Sequence, residues 1–215
     1  MNTIDTIHAR RSVRQFDGKA IEIDTLKAIV KDAQQAPSWA NSQPWKVWIA
    51  TGDTLAKIKQ DHLNFAYQGI RGNADFSTQS RDSWGMFARQ NMQQWSQAFF
   101  GFEGQGGQHF GELQAHLYNS PAIVYLTLDK NSSAWAIYDL GGFAQTLTLS
   151  ATARGIDSIA AYEVVKFPNS LRRHLGIPDN LMIAMGIALG YKSDDPLNQF
   201  VSDRVDLNEM LVIKE

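Results

Sequence analysis

The chain has 215 residues, 44% of them apolar and 20% charged, an ordinary globular balance for one domain with a sizeable core. Its formal net charge of -2 argues against a dedicated nucleic-acid binder, and the absence of cysteine excludes disulfides, thiolate nucleophiles, zinc–cysteine sites and iron–sulfur clusters. Residues 1–5 lack the basic-then-apolar order of a signal peptide and no segment approaches the ~20 apolar residues of a membrane span, so a cytoplasmic protein without a membrane partner is expected.

Residues 2–9 are predicted to form a short helix that delivers Arg10-Arg11-Ser12-Val13-Arg14. A second helix starts at Asp24, read as its N-cap, and carries Leu26, Ile29, Val30 and Ala33 at helical spacing until Pro37 stops it. Residues 45–50 are rich in Trp, Val and Ile and read as a strand. Asp53 is then expected to cap a helix bearing Leu55, Ile58 and Leu63.

Residues 65–117 differ in character, being rich in Gln, Gly and aromatics, and read as a variable segment or lid. Helices are expected over 84–98 and 111–117, around a mobile glycine-rich loop at 101–107. Ala122-Ile123-Val124-Tyr125-Leu126-Thr127-Leu128 is a buried strand. Residues 133–154 form a long helix, apolar nearly all round and closed by Gly155, that needs cover from other elements or a second subunit. A short strand (156–161), a short helix (168–175), a last core strand (181–191) and a tail follow, with no boundary that divides the chain 1–215 into domains. Leu207, Met210, Leu211, Val212 and Ile213 are too apolar to leave in water, and packing of the tail on a second copy is expected.

Two stretches carry chemistry. Arg10, Arg11, Ser12 and Arg14 are a phosphate grip, because guanidinium forks match phosphate oxygens bidentately, although a solvated basic turn has the same composition. Between Pro37 and Trp45, the side chains of Ser38, Asn41, Ser42 and Gln43 supply donors and acceptors for a ring's polar edge, with Trp39 and Trp45 as flat surfaces; a loop satisfying its own turn amides fits equally. The five histidines show no paired metal spacing, the glycine run fits no phosphate-loop pattern, and no metal site is expected. The acidic pairs Asp194-Asp195 and Asp203/Asp206 read as solvated.

Together these stretches resemble the FMN-dependent nitroreductase family. The resemblance continues through residues 139–151, through Leu175-Gly176-Ile177-Pro178 and Ile187-Ala188-Leu189-Gly190-Tyr191, and at Arg204; it covers residues 7 to 212 apart from 65–117. It implies an α+β fold, a mainly antiparallel central sheet flanked by helices, in an intertwined homodimer. Alternation of strands and helices alone would equally allow a parallel α/β sheet. It also implies that Arg10, Arg11, Ser12, Arg14 and Arg204 face the FMN phosphate and ribityl chain. Pro37, Ser38, Trp39 and Asn41 match the segment laid against the cofactor by the other subunit. The turn Ala160-Ala161-Tyr162-Glu163 matches the backbone that approaches flavin N5, where this sequence lacks the proline common in the family.

The activity implied is NADH- or NADPH-driven reduction of a small-molecule electron acceptor, a nitroaromatic, quinone or relative, in ping-pong order, with no catalytic side chain because the chemistry is the flavin's. Acceptor choice is expected in residues 65–117, where Phe65, Tyr67, Phe76, Trp84, Phe87, Trp95, Phe99, Phe100, Phe102 and Phe110 divide between pocket and core. The alternatives are a same-fold flavoprotein acting in flavin fragmentation, dehalogenation, sensing or storage, and an anion-binding module built on the arginines.

Overall fold

In the computed structural model, which describes residues 2–102 and 107–215, the chain begins with α1 (Thr3–Ala9). Asn2 caps it: its side chain accepts from the Asp5 N–H at 2.9 Å while the Asp5 carboxylate accepts from the Asn2 N–H. The next helix, α2 (Ile23–Ala33), buries Leu26, Ile29 and Ala33. Its N-cap is Glu22, two residues earlier than expected. Asp24 is therefore not the cap but a first-turn residue paired with Lys27 at 3.0 Å, placed where an acid complements the helix dipole.

Strand β1 (Lys46–Thr51) leads directly into α3 (Gly52–Tyr67). Gly52, at φ +52°, makes that sharp entry, so Asp53 falls inside the first turn and caps nothing. Leu55 and Ile58 are buried as expected; the next buried position is His62 rather than Leu63. The variable segment contributes α4 (Met86–Gly101) and α5 (Gln108–Ala115), and most of the predicted glycine-rich loop lies outside the described residues. Strand β2 (Ala122–Asp129) and helix α6 (Ala134–Ala153) follow, with Gly155 at φ +72° beyond the helix end. The last elements are β3 (Asp157–Ala160), α7 (Pro168–Leu175), β4 (Leu181–Gly190) and the single turn α8 (Leu207–Met210).

The four strands form one sheet in the order β1-β2-β4-β3, antiparallel at every pairing. Alternation along β2 divides the core. Ile123 and Tyr125 face Leu55, Ile58, Phe99 and Leu113 of α3, α4 and α5. Val124, Leu126 and Leu128 face Leu26 and Ile29 of α2 and Leu140, Phe143 and Leu147 of α6. The result is a sheet with helices on both faces, an α+β arrangement. Among the described residues no helix is long and apolar enough to cross a membrane.

Helix α6 is covered on one side only. Trp135 and Tyr138 on its other side are 65% and 77% exposed, and the tail side chains Leu207, Met210, Leu211, Val212 and Ile213 are exposed as well. So many exposed large apolar side chains mark a surface suited to a partner.

Two devices place the N-terminal stretch. The Val13 N–H donates to the Ser158 carbonyl at 3.0 Å, beside a parallel bridge between Ser12 and Ser158, so the arginines run along the free edge of β3. The buried Asn198 Oδ1 accepts from the N–H groups of Arg14 (2.8 Å) and Gln15 (3.2 Å), while its Nδ2 donates to the Gln15 and Ser193 carbonyls. One side chain thus staples the tail to the arginine stretch.

Candidate functional site

Arg10, Arg11, Ser12, Arg14 and Arg204 line a single cleft of about 890 Å³. Arg204 arrives from the far end of the chain, its Nη1 donating to the carbonyls of Ser202 (3.0 Å) and Asp203 (2.9 Å). Among the described residues the guanidiniums of the chain that meet carboxylates are those of Arg154, Arg172 and Arg173, and none of these lines the cleft. Arg14 is the deepest of the four, 5% exposed, and its guanidinium donates to the Ser12 carbonyl at 3.1 Å. Burial pulls its pKa down, partly offset by Tyr118, yet guanidinium remains protonated in proteins. A desolvated cation with no carboxylate beside it is costly and is relieved by an anion.

The second predicted stretch folds tightly. Ala40, Asn41 and Gln43 have φ values of +50°, +55° and +42°, a left-handed run that non-glycine residues adopt only when held. Three contacts hold it: the Gln43 N–H donates to Ser38 Oγ (2.9 Å), Gln43 Nε2 donates to Asn41 Oδ1 (3.2 Å), and the Trp39 N–H donates to Asp139 Oδ2 (3.0 Å). Trp39 is 69% exposed, whereas Trp45 packs on Phe143 at 4.8 Å and belongs to the core. Pro37 and Ser38 line a different cleft, with Tyr138, Asp139, Gly141 and Gly142 of α6. Within one chain the arginines and this turn do not meet.

The turn after β3 is pressed against the sheet. A Cβ on Gly186 would lie 2.3 Å from Val164 Cγ2, so only glycine lets the Tyr162–Val165 turn approach β4, and the Ala161 N–H donates to the Gly186 carbonyl at 3.3 Å. Tyr162 is partly exposed. The Glu163 side chain is buried instead, accepting from Lys166 Nζ at 2.9 Å and lying 3.2 Å from His62 Nε2. Burial pushes the Glu163 pKa up, but the hydrogen bonds and charges of His62 and Lys166 outweigh it and hold the carboxyl below its usual value. That carboxylate is committed to its own fold, leaving the backbone of Ala161, Tyr162 and Glu163 as what the turn presents.

Other expectations are corrected. Asp195 is not a solvated acid: it accepts from the Leu197 N–H at 2.9 Å and pairs with His109 at 2.8 Å. Of the variable-segment aromatics, Phe99 is fully buried with Trp95 and Phe110 packed on it, and Phe102 packs on Phe200, while Tyr67, Phe76, Trp84, Phe87 and Phe100 are exposed. Two site-building residues were not singled out from sequence. Asp139 carried a usable signal, a lone acid inside an apolar helix; Asn198, in a polar stretch, carried none.

An antiparallel sheet sandwiched by helices, with an arginine-lined cleft at the β3 edge, defines an α+β protein. The chain belongs to the nitroreductase family, whose model matches residues 7–191. It is 26% identical over 198 residues to a 4-nitrobenzoate reductase of Pseudomonas putida, covering 88% of this chain and 85% of the relative. It is 29% identical over 199 residues to the nitroreductase NfnB of Mycolicibacterium smegmatis, covering 87% and 82%. The fold superposes with a TM-score of 0.91, at 24% identity and 99% and 98% coverage, on the FMN-dependent nitroreductase NfnB from Mycobacterium smegmatis solved in complex with NADPH.

Proposed function

We propose that this chain is a cytoplasmic FMN-dependent NAD(P)H oxidoreductase that reduces nitroaromatics, quinones or related acceptors in two half-reactions at one site. The observation that carries the proposal is the convergence of Arg10, Arg11, Arg14 and Arg204 on one cleft with no carboxylate on any of them among the described residues. The donor set fits a phosphorylated ligand. Bound FMN would supply the hydride and electron chemistry that the side chains of this cleft do not.

The chain's own work is binding and positioning. Arg10, Arg11, Ser12 and Arg204 hold the phosphate through charge-assisted hydrogen bonds. Arg14, deeper in the cleft, sets a fixed positive charge toward the ribityl chain and ring. Ala161, Tyr162 and Glu163 offer backbone to the ring edge, in a turn kept rigid by Gly186. Pro37, Ser38, Trp39 and Asn41 of a second copy close over the ring and exclude water, which is why the turn and the arginines sit apart in one chain. The exposed faces of α6 and the tail supply the surface for that homodimer.

An absorption spectrum of the purified protein, followed by anaerobic titration with NADH and NADPH, tests this reading. A yellow protein bleached by at least one nicotinamide is expected. A yellow protein bleached by neither would assign the chain to flavin fragmentation, dehalogenation or storage; a colourless protein that does not take up FMN would remove the flavin.

A further inference from the structure

We infer that the variable segment helps to hold the cofactor: Phe99 of α4 and Phe200 of the tail clamp the Arg14 guanidinium and aim it into the cleft. The inference rests on reading that cleft as the FMN site. The Arg14 guanidinium carbon lies 4.8 Å from the centroid of the Phe99 ring and 5.3 Å from that of Phe200. The two rings meet edge to face, 5.1 Å apart at 76°, so they form a corner around the cation. Phe99 itself is fixed from behind. Trp95 stacks on it at 5.0 Å with an interplanar angle of 7°, and Trp95 Nε1 donates to Ser202 Oγ at 3.0 Å.

That hydrogen bond joins α4 to the tail two residues before Arg204. The same tail carries Asn198, which accepts from the Arg14 N–H. Arg14 is therefore gripped by its backbone through Asn198 and by its guanidinium through two rings, one of them supplied by the segment expected only to choose acceptors. Among the described residues its side chain makes one hydrogen bond, to the Ser12 carbonyl, and meets no carboxylate. Ring faces are the remaining source of stabilisation for a desolvated guanidinium, and they leave its other N–H donors free for an anionic ligand. Order in α4 and retention of FMN are then linked, each favouring the other.

The test is the FMN dissociation constant, read by quenching of flavin fluorescence, in the full-length protein and in Phe99→Leu, Arg14→Met and the double variant. Phe99→Leu keeps an apolar side chain in the core but removes the ring face, and should weaken FMN by about tenfold. In the Arg14→Met background, Phe99→Leu should change the affinity by less than about twofold, because the cation it serves is gone. A merely structural role would weaken FMN equally in both backgrounds, and that result would overturn the clamp. Should Phe99→Leu fail to fold, Phe200→Leu replaces it: this variant removes the other ring face over the Arg14 guanidinium. It should weaken FMN several-fold with Arg14 present and change the affinity by less than about twofold in the Arg14→Met background. Unchanged affinity in Phe99→Leu or in Arg14→Met overturns the inference while leaving the flavin site standing. Failure of the parent protein to bind FMN overturns the site reading itself.

Discussion

The Trp39 backbone N–H donates to Oδ2 of Asp139 over 3.0 Å, joining a left-handed turn to the central helix across 100 residues of sequence. Asp139 is buried in α6 beside Leu140 and Phe143, and no cation pairs with it among the described residues. The carboxylate thereby anchors the backbone at the start of the strained turn.

Asp139→Ala is therefore expected to release the turn proposed to close over the ring. FMN affinity should fall about tenfold, the equivalent of one charge-assisted hydrogen bond. Asp139→Asn, which keeps an acceptor oxygen, should lose less. Fluorescence titration of FMN into both variants measures this, and equal affinities in Asp139→Ala and the parent would show that the turn does not depend on the carboxylate.

Asp75 and Arg172 form the best-made ion pair of the variable segment's entry. Arg172 donates to both carboxylate oxygens, at 3.1 and 2.5 Å, while Asp75 Oδ2 also accepts from the Ile183 N–H at 2.8 Å and Arg172 donates to the Leu181 carbonyl at 2.7 Å. Both side chains are mostly buried. Asp75→Ala leaves the buried Arg172 guanidinium only the exposed Asp179 at 3.6 Å and the Leu181 carbonyl, strands an N–H of β4, and should cost about 2–4 kcal/mol in urea unfolding.

Acid should destabilise the protein through Asp61 and Glu163. Burial raises the Asp61 pKa, but hydrogen bonds from Ser170 Oγ (2.6 Å), His174 Nε2 (2.7 Å) and Arg173 outweigh it and hold the carboxyl below its usual value. Glu163 is depressed likewise. A depressed carboxyl contributes stability that is fully present above its unfolded pKa and is lost as pH falls through the folded value. The melting temperature should thus fall from about pH 4 downward. Asp61→Asn should lower it at neutral pH and flatten that acid limb, as thermal scans across pH would report.

Removing residues 207–215 takes away Leu207, Met210, Leu211, Val212 and Ile213, all exposed in the single chain. Analytical ultracentrifugation should show a dimer that dissociates at higher concentration than the parent's. A dimer of unchanged stability would place these side chains outside the interface.

The fold was largely legible because its strongest signals are local. The apolar run of β2, the long apolar stretch of α6 and Pro168 at the start of α7 mark elements within a residue or two of where they lie. Asp24 and Asp53 misled because an acid at a helix start fits either the cap or the first turn, and a single glycine at φ +52° decided the second case. The arginine cluster and Arg204 were visible as charge, and the structure brings them to one cleft. What holds them was not visible. Asn198 acts on Arg14 across 184 residues and Phe99 acts on it through a ring face, contacts that no spacing encodes. Asp195 read as solvated because its partner, His109, is equally remote in sequence.

Mixing two disabled subunits tests most directly the proposal that each flavin site is completed by two copies of the chain: one carries Arg10→Ala and Arg204→Ala, the other Trp39→Ala and Asn41→Ala. Neither homodimer should retain FMN. The mixed dimer should retain one FMN, because one of its two sites pairs intact arginines with an intact turn from the other copy. A mixed dimer that binds no FMN, while the parent dimer binds two, would place the arginines and the turn of each site on the same chain and contradict the two-copy site.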